Sequence, residues 1–531
     1  MRLRLTGTFQ LLDDQGGNCT PRGAKARAII AMLCRIPERC RSRRWLESKL
    51  WSDRAPEQAS GSLRQALMEI RQALGHHSSL LVTDRDTVTL SGVVTDLDTE
   101  RDRVREALAE GRDFLEGIDI EDEAFEDWLR NERALLSDQA VPGKAMAGVL
   151  AEPMPFVVRL GGFSSGIAGF VGAAMAEAIG SLMMDFAEVE VYSDAQGTAI
   201  VSAPTRGITL AIEVAALGAQ LHVLVALAST ANQRILWSRR VTLVTDAADL
   251  IGEGAFPQIV FNAAEAAHAA VANIPAPDGR FWADAMTARA VQAMYSFDAA
   301  QLATADRLLA ESLKFRPTAR AWAWRGQLRQ IMAVERTDLD WLKLREEADE
   351  YARRAMEMPE GNPLVYALVS QVRVMLDADP EVGTKLAQDA VVLSPYNAHG
   401  QAALAGAQLR AGAYAAALDA ATAGARLAAN SPHAFWWDSL VGLSALANGD
   451  VKLAIHHYEA AHFRSPNFRS PLRHLYFLYL VGGQPDRADR ILQSLRRLEP
   501  DFSIDRVRYD EHYPAATLRR TKLAEMAMQR L

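Results

Sequence analysis

Arg43-Arg-Trp-Leu-Glu-Ser-Lys-Leu-Trp51, then Ser52-Asp-Arg-Ala-Pro-Glu57, then Gln58-Ala-Ser-Gly-Ser-Leu-Arg-Gln-Ala-Leu-Met-Glu-Ile-Arg-Gln-Ala-Leu74-Gly75 decide how the first part of this 531-residue chain is read. The first piece is a short helix, the second a polar turn, and the third a longer amphipathic helix. Leu63, Leu67, Ile70 and Leu74 recur at steps of four, three and four, so they form one apolar stripe that must be buried. The opposite face then carries Gly61, Gln65, Met68 and Gln72, flanked by Arg64 and Arg71 on one side and Ser62 on the other. Side chains of this kind donate and accept hydrogen bonds at base edges in a major groove. Gly61 lets the first turn of such a helix approach a duplex closely. Arg43, Arg44 and Lys49 on the preceding helix suit phosphate contacts, which position a protein without reading sequence. The ordinary alternative is a solvated helix face, yet neither Arg64 nor Arg71 has an acid three or four residues away to pair with.

Around this segment the short alternating runs Leu3, Leu5 and Phe9, Leu11 read as strands. Leu80-Leu-Val-Thr-Asp-Arg-Asp-Thr-Val-Thr-Leu90 reads as a hairpin turning at Asp84–Asp86, with Arg85 at its tip within reach of an adjacent groove. Charge is unevenly distributed along the chain. The net charge is −8, but Arg22–Arg71 holds twelve Lys or Arg against five acids, and Asp96–Asp138 holds sixteen acids against six Arg. A basic block followed by an acidic one is a domain-level asymmetry that the total conceals.

Order and motifs here resemble a known family. Strands, a helix, Leu50-Trp-x-Asp-x-x-Pro56, a helix ending Ile70-Arg-x-Ala-Leu-Gly75 and a hairpin are similar to the winged helix of the SARP antibiotic-regulatory proteins, itself similar to OmpR-type effector domains. The resemblance implies that the helix at Glu57–Leu74 enters the major groove of double-stranded DNA and that the Leu80–Leu90 hairpin is the wing. On that basis Ser62, Arg64, Gln65, Met68, Arg71 and Gln72 are expected at base edges, and Arg43, Arg44, Lys49 and Arg85 on the backbone. Asp96-Leu-Asp, Phe114-Leu-Glu-Gly and Phe125-Glu-Asp-Trp-Leu-Arg-Asn-Glu-Arg133 resemble the opening of the bacterial transcriptional activation domain that follows in that family; the match lapses near residue 138. RNA polymerase is the further partner it implies.

Beyond an aperiodic linker at 139–154, residues 155–275 read as a small α/β domain. Strands are expected at Phe156–Leu160, Val189–Tyr192, Ile208–Ala216, Leu221–Ala228 and Arg234–Leu243. Helices are expected at Ile167–Phe186 and from Ala247 to Val271, the second interrupted at Pro257. Gly207-Ile-Thr-Leu-Ala-Ile-Glu-Val214, Leu221-His-Val-Leu-Val-Ala-Leu227 and Ile235-Leu-Trp-Ser-Arg-Arg240 resemble TolB-like amino-terminal domains, although Leu160-Gly-Gly-Phe163 stands where that family opens on Leu-Pro-Phe.

Residues 280–531 repeat. Pro317, Pro359, Pro395, Pro432, Pro466 and Pro500 mark corresponding helix ends, and the last two intervals are 34 residues. Pairs such as Ala398–Ala411 with Ala413–Ala428, turning at Gly412, resemble tetratricopeptide (TPR) repeats. They imply an α-solenoid of about six pairs, closed by a helix from Pro514 to Arg530, with a concave face for a protein or peptide partner. The fold class expected is multidomain and mainly α: a winged helix-turn-helix (1–93), an acidic helical segment (94–138), a small α/β domain and a TPR-like solenoid.

Chemistry is sparse. No phosphate-cradling Gly-x-x-x-x-Gly-Lys, His-Glu-x-x-His or Cys-x-x-Cys occurs. Cys19, Cys34 and Cys40 are too few for a disulfide framework and fit a reducing, cytoplasmic setting. No cofactor, metal, catalytic residue or membrane span is expected. Gly162-Phe-Ser-Ser-Gly166 matches the nucleophile-elbow pattern with Ser164 as nucleophile and His222 or His268 as base, but the segment is short for a hydrolase sheet. His456-His457 point about 100° apart on a helix, which argues against a joint metal site, and Phe435-Trp-Trp437 with Tyr476, Phe477 and Tyr479 reads as inter-helix core. The leading expectation is a DNA-binding transcription regulator, dimeric on repeated half-sites. The alternative is a TPR scaffold whose winged helix contacts protein.

Overall fold

In a computed structural model, the residues described are 1–35, 39–54, 56–85, 87–99, 103–104, 107, 112–139, 153–161, 166–194, 206–244, 251–252, 254–273, 281–359, 361–376 and 379–530. The chain divides into two compact units, Met1–Val149 and Leu150–Leu531. Most of the linker expected at 139–154 lies outside the described residues.

In the first unit, strands β1 (Arg2–Arg4) and β2 (Gln10–Leu12) pair antiparallel, with Leu3 opposite Leu11. Helix α1 (Ala24–Cys34) follows, then β3 (Cys40–Ser42), α2 (Arg43–Leu50), α3 (Pro56–Leu74) and the hairpin β4 (Leu81–Thr83) and β5 (Thr87–Leu90). The hairpin pairs through β5 with β3 in a sheet ordered β3-β5-β4, and β6 (Val94–Thr95) returns parallel to β1. After the short α4 (Asp96–Thr99), α5 (Glu123–Gln139) ends the described part of the unit.

The acidic segment, expected as a region of its own, completes this core. Phe114, Leu115, Ile118, Ile120, Phe125 and Leu129 are buried in the same cluster as Leu5, Ile29 and Leu63. Leu115 N–H bonds to Leu5 O at 2.9 Å and Gly7 N–H to Asp113 O at 2.7 Å. Apart from the buried Asp122, most of the described acids of the segment turn outward while their apolar neighbours fill the domain, a division that net charge alone does not reveal.

In the second unit, five strands are ordered β11-β10-β9-β7-β8, where β7 is Met154–Gly161, β8 Val189–Asp194, β9 Ile208–Leu217, β10 Gln220–Ser229 and β11 Ile235–Val244. Strand β7 runs parallel to β8 and β9, and β10 runs antiparallel to β9 and β11. Helix α6 (Ile167–Phe186) makes the crossover between β7 and β8. It packs with α7 (Ala255–Val271) over the sheet, facing Leu221, Val223, Val225 and Leu227. Pro257 lies in the first turn of α7, where a missing N–H costs nothing, so it starts that helix instead of interrupting it. Among the described residues, α6 alone is long and apolar enough to cross a membrane, and twelve of its residues, among them Val171, Met175 and Ile179, are buried inside the protein.

Helix pairs then follow: α8 (Trp282–Met294) with α9 (Ala299–Phe315), α10 (Ala319–Glu335) with α11 (Trp341–Met356), and α12 (Pro363–Met375) with α13 (Pro380–Leu393). After them come α14 (Ala398–Arg410) with α15 (Tyr414–Leu427), α16 (Ala434–Ala447) with α17 (Val451–Arg464), and α18 (Arg469–Val481) with α19 (Pro485–Leu498). Side chains of Asp298, Thr318, Asp340, Asn362, Asp379, Asn397 and Asp450 cap helix starts, supplying the acceptors that orphan N–H groups need. Gly412 turns α14 into α15 at φ +76°, a conformation that glycine adopts without strain. Small residues sit where helices cross: a Cβ on Gly442 would lie 3.0 Å from the ring of fully buried Tyr458. Gly442→Val drives two methyls into that ring. It is expected to lower the stability of the second unit by about 1–3 kcal/mol, read as a lower midpoint in urea unfolding.

Two features depart from an open solenoid. From α10 through α18 the first helix of each pair is buried almost all round, with Met375 and Arg410 as the exposed residues, whereas second helices keep a solvent face. The sheet's helices cover part of this surface. Asn362 donates to Asp185 O at 3.1 Å, Ser394 to the Asp185 carboxylate at 2.7 Å and Ser431 to Glu265 at 2.7 Å, while Phe261 meets Trp437 edge to face. The array also meets itself. Glu335, closing α10, accepts the Arg469 N–H at 2.8 Å, and Arg473 donates to Val334 O at 2.8 Å. In a simple repeat array each unit touches its neighbours alone; here the sixth pair touches the second. The concave face expected to be open is therefore built into the core. After α20 (Ile504–Tyr509), the closing helix expected at Pro514–Arg530 is also divided, into α21 (Ala516–Arg520) and α22 (Leu523–Met528), with Lys522 at φ +57° breaking the two apart.

Candidate nucleic-acid interface

Ser42 caps α2 by accepting the Trp45 N–H at 3.2 Å, and α2 buries Leu46 and Leu50. Lys25 of α1 donates to Leu50 O at the other end of α2 and lies 4.8 Å over the Trp51 ring. Burial, then the nearby Arg54, pushes the Lys25 ammonium below its usual range. Helix α3 starts at Pro56 with Glu57 in its first turn, a charge that favours a helix N-terminus. It ends at Leu74, followed by Gly75 at φ +56°.

Leu63, Leu67, Ile70 and Leu74 are each no more than 2% exposed, and Met68 on the opposite face is 60% exposed. Gly61, Arg64, Gln65, Arg71 and Gln72 are exposed as well, and a Cβ on Gly61 would meet nothing within 4 Å. Two of the expected base-edge residues already have partners inside the protein. The half-buried Ser62 hydroxyl accepts Arg54 Nη1 at 3.1 Å, and Arg71 Nη2 donates to the Thr83 hydroxyl, tying α3 to β4. The outward strip is thus Arg64, Gln65, Met68 and Gln72, with Arg71 as a brace to the hairpin.

Arg44 is exposed on α2, while Arg43 and Lys49 are half-buried. Arg85 is exposed at the hairpin tip. The turn there is pinned by Asp84, whose carboxylate accepts the Thr87 N–H at 2.6 Å and the Thr87 hydroxyl at 2.7 Å.

Residues not singled out from sequence hold this surface in place. Glu69 Oε1 accepts the Gly23 N–H at 2.6 Å, seating α1 on α3. Asp122 accepts the Ser52 N–H at 2.7 Å and the Ser52 hydroxyl at 2.9 Å while capping α5, so it fastens the α2–α3 turn to the acidic segment. Asp119 and Glu121 of that segment line one cleft with Lys25, Arg54 and Gln65. The Gln65 edge of α3 therefore borders acids, while Arg64, about 100° round the helix, does not line that cleft.

Other sequence candidates fall elsewhere. Residues 162–165, with Ser164, lie outside the described residues. His268 is buried against Phe186, with burial pushing its imidazole down to about 4, and His222 lies on β10 against Thr242. His457 pairs with Asp438 at 3.0 Å. Phe435 and Trp437 are core residues and the half-buried Trp436 packs on that core, Phe435 and Trp436 lying against Phe297 and Phe468.

No family model matches the chain, and no curated protein matches it. Among solved structures it is similar to the human IFIT1 dimer with m7Gppp-AAAA, at 15% identity over 48% of this chain and 58% of that one, TM-score 0.35. It is similar to the Cut9–Hcn1 hetero-tetramer of APC/C, at 15% identity over 49% and 48%, TM-score 0.33. It is also similar to yeast Tom70, at 10% identity over 95% and 88%, TM-score 0.28. The chain spans about half the length of the first two. At these TM-scores the likenesses carry nothing about activity or partners; the helix-pair array rests on its own geometry.

Proposed function

We propose that this chain is a sequence-reading, DNA-binding transcription regulator whose first unit works as a winged helix. The observation that carries the reading is the two-faced α3, with Leu63, Leu67, Ile70 and Leu74 sealed into the core and Arg64, Gln65, Met68 and Gln72 turned to solvent. In this reading α3 lies in the major groove, Arg64, Gln65 and Gln72 meet base edges, and Met68 packs on a thymine methyl. Arg43, Arg44 and Lys49 meet phosphates, and Arg85 on the wing reaches the next groove. Ser62 and Arg71 keep a share of this role by exchanging their internal partners for DNA.

A single module of this kind makes a small interface, so a dimer on repeated half-sites is part of the proposal. RNA polymerase is its further partner, reached from the acidic segment, and cysteines that form no disulfide among the described residues suit a reducing cytoplasm. The helix-pair array supports a second reading, a scaffold in which α3 and the wing grip protein; its partner would dock on the exposed second helices, since the first helices are buried.

Duplex binding by the full chain, followed by fluorescence anisotropy across a salt series, tests the proposal. With about five phosphate contacts, log Kd is expected to change with log salt at a slope of roughly 4 to 5. Arg44→Ala is expected to lower that slope by about 0.9 with no change in sequence preference. No binding at low salt, together with capture of a protein partner that is lost on charge reversal at Arg43 and Arg44, would move the assignment to the scaffold.

A further inference from the structure

Asp13, His76 and His77 meet on the first unit at the end of α3 remote from its N-terminus. One ligand atom from each lies within 4.8 Å of the others. Asp13 stands after β2 in a tight turn: its N–H bonds to Gly17 O at 2.9 Å, and Gly16 N–H returns to Asp13 O at 3.1 Å. Its Oδ1 accepts the N–H groups of Gln15 at 2.9 Å and Gly17 at 2.6 Å, so the carboxylate is oriented by the backbone before any ion arrives. Across from it, Gly75 at φ +56° ends α3 and starts the 3₁₀ turn Gly75–Leu80, which presents His76 and His77 side by side, ring centroids 4.0 Å apart. Neither imidazole has a hydrogen-bond partner among the described residues, while His76 is exposed and His77 and Asp13 are half-buried.

We infer that these three residues form a binding site for a divalent transition-metal ion of borderline softness, Zn²⁺ or Ni²⁺ in class. Two imidazole nitrogens and one carboxylate oxygen suit such ions, whereas Mg²⁺ and Ca²⁺ prefer oxygen throughout. Metal–nitrogen bonds of about 2.0–2.1 Å place donors about 3.3 Å apart in a tetrahedron. The side chains therefore close on the ion by rotamer adjustments that solvent-facing groups make at little cost. Water takes the remaining position. The ion bridges the loop after β2 to the turn that leads from α3 into the hairpin, so it staples two parts of the unit far apart in sequence. This site stands apart from the proposed DNA contacts and does not depend on them.

The test is a Zn²⁺ titration of the chelator-treated full chain without DNA, by calorimetry, beside His76→Ala, His77→Ala and Asp13→Asn. Co²⁺ absorption serves as a spectroscopic check on the ligand set. One Zn²⁺ per chain is expected, with binding weakened at least about tenfold in each variant and the thermal midpoint raised more by Zn²⁺ in the wild type than in any variant. His76→Ala removes an exposed side chain and leaves the fold intact, which circular dichroism verifies. No stoichiometric uptake, or uptake of equal strength in all three variants, overturns the site.

Discussion

Arg473→Leu is expected to destabilise the second unit by about 3–5 kcal/mol, the cost of leaving buried carboxylates without their cation. Arg473 is fully buried on α18, and its Nε donates to Glu499 Oε1 at 2.9 Å. Glu335 and Glu499 are 1% and 2% exposed, and burial already raises the Glu335 carboxyl above its usual range even with Arg473 and Arg469 beside it. Tyr513 donates to Glu499 at 2.6 Å, so the closing segment hangs on the same group. Without the guanidinium, the contact between the second and sixth helix pairs loses its centre. Thermal unfolding of the full chain at pH 7 reads the effect as a fallen midpoint for the larger unit. An unchanged midpoint would mean that the array stays closed without this cluster. Protonation relieves stranded carboxylates, so the loss is expected to shrink as pH falls.

The second large effect is acid sensitivity. Burial holds the His268 and His474 imidazoles down to about 4 and the His399 imidazole down to about 3, against an ordinary value near 6.5. In the unfolded chain each accepts a proton near pH 6.5, and in the folded chain each stays neutral. Between pH 6.5 and about 4 the unfolded state thus binds three more protons at these groups, and stability falls as pH falls. Their combined slope is about 4 kcal/mol per pH unit. Asp185, Asp284 and Glu335 work the other way, since burial raises their carboxyls and the folded state protonates first. A difference measurement separates the two: His399→Gln is expected to flatten the stability–pH curve by about 1.4 kcal/mol per pH unit in that window. An unchanged slope would show that His399 is charged in the folded protein.

Local signals were legible in the sequence because they are periodic. Leu63, Leu67, Ile70 and Leu74 declare a buried stripe by spacing alone, and Pro395, Pro432 and Pro466 mark the ends of α13, α15 and α17 in the folded chain. The strands around Ile208–Leu217 and Gln220–Ser229 show in the same way through alternation. Contacts between distant segments leave no such trace. Glu335 meeting Arg469, and Asp185 meeting Ser394, join elements whose own patterns say nothing of each other. Charge misled for a related reason: sixteen acids made 94–138 look like a separate surface, while Phe114, Phe125 and Leu129 between them belong to the first core. At the candidate interface the exposed face of α3 was legible. The internal partners of Ser62 and Arg71 were not, because Arg54 and Thr83 come from a turn and a strand that only the fold brings near.

The most direct test of the central claim is genome-wide capture of DNA bound by the tagged full-length protein, beside an Arg64→Ala/Gln65→Ala double variant. Both side chains are exposed, so the variant is expected to fold as the wild type does. Discrete peaks that share a sequence and vanish in the variant are the predicted result. No enrichment, or peaks that survive the double substitution, would contradict the reading of α3 as the element that recognises DNA.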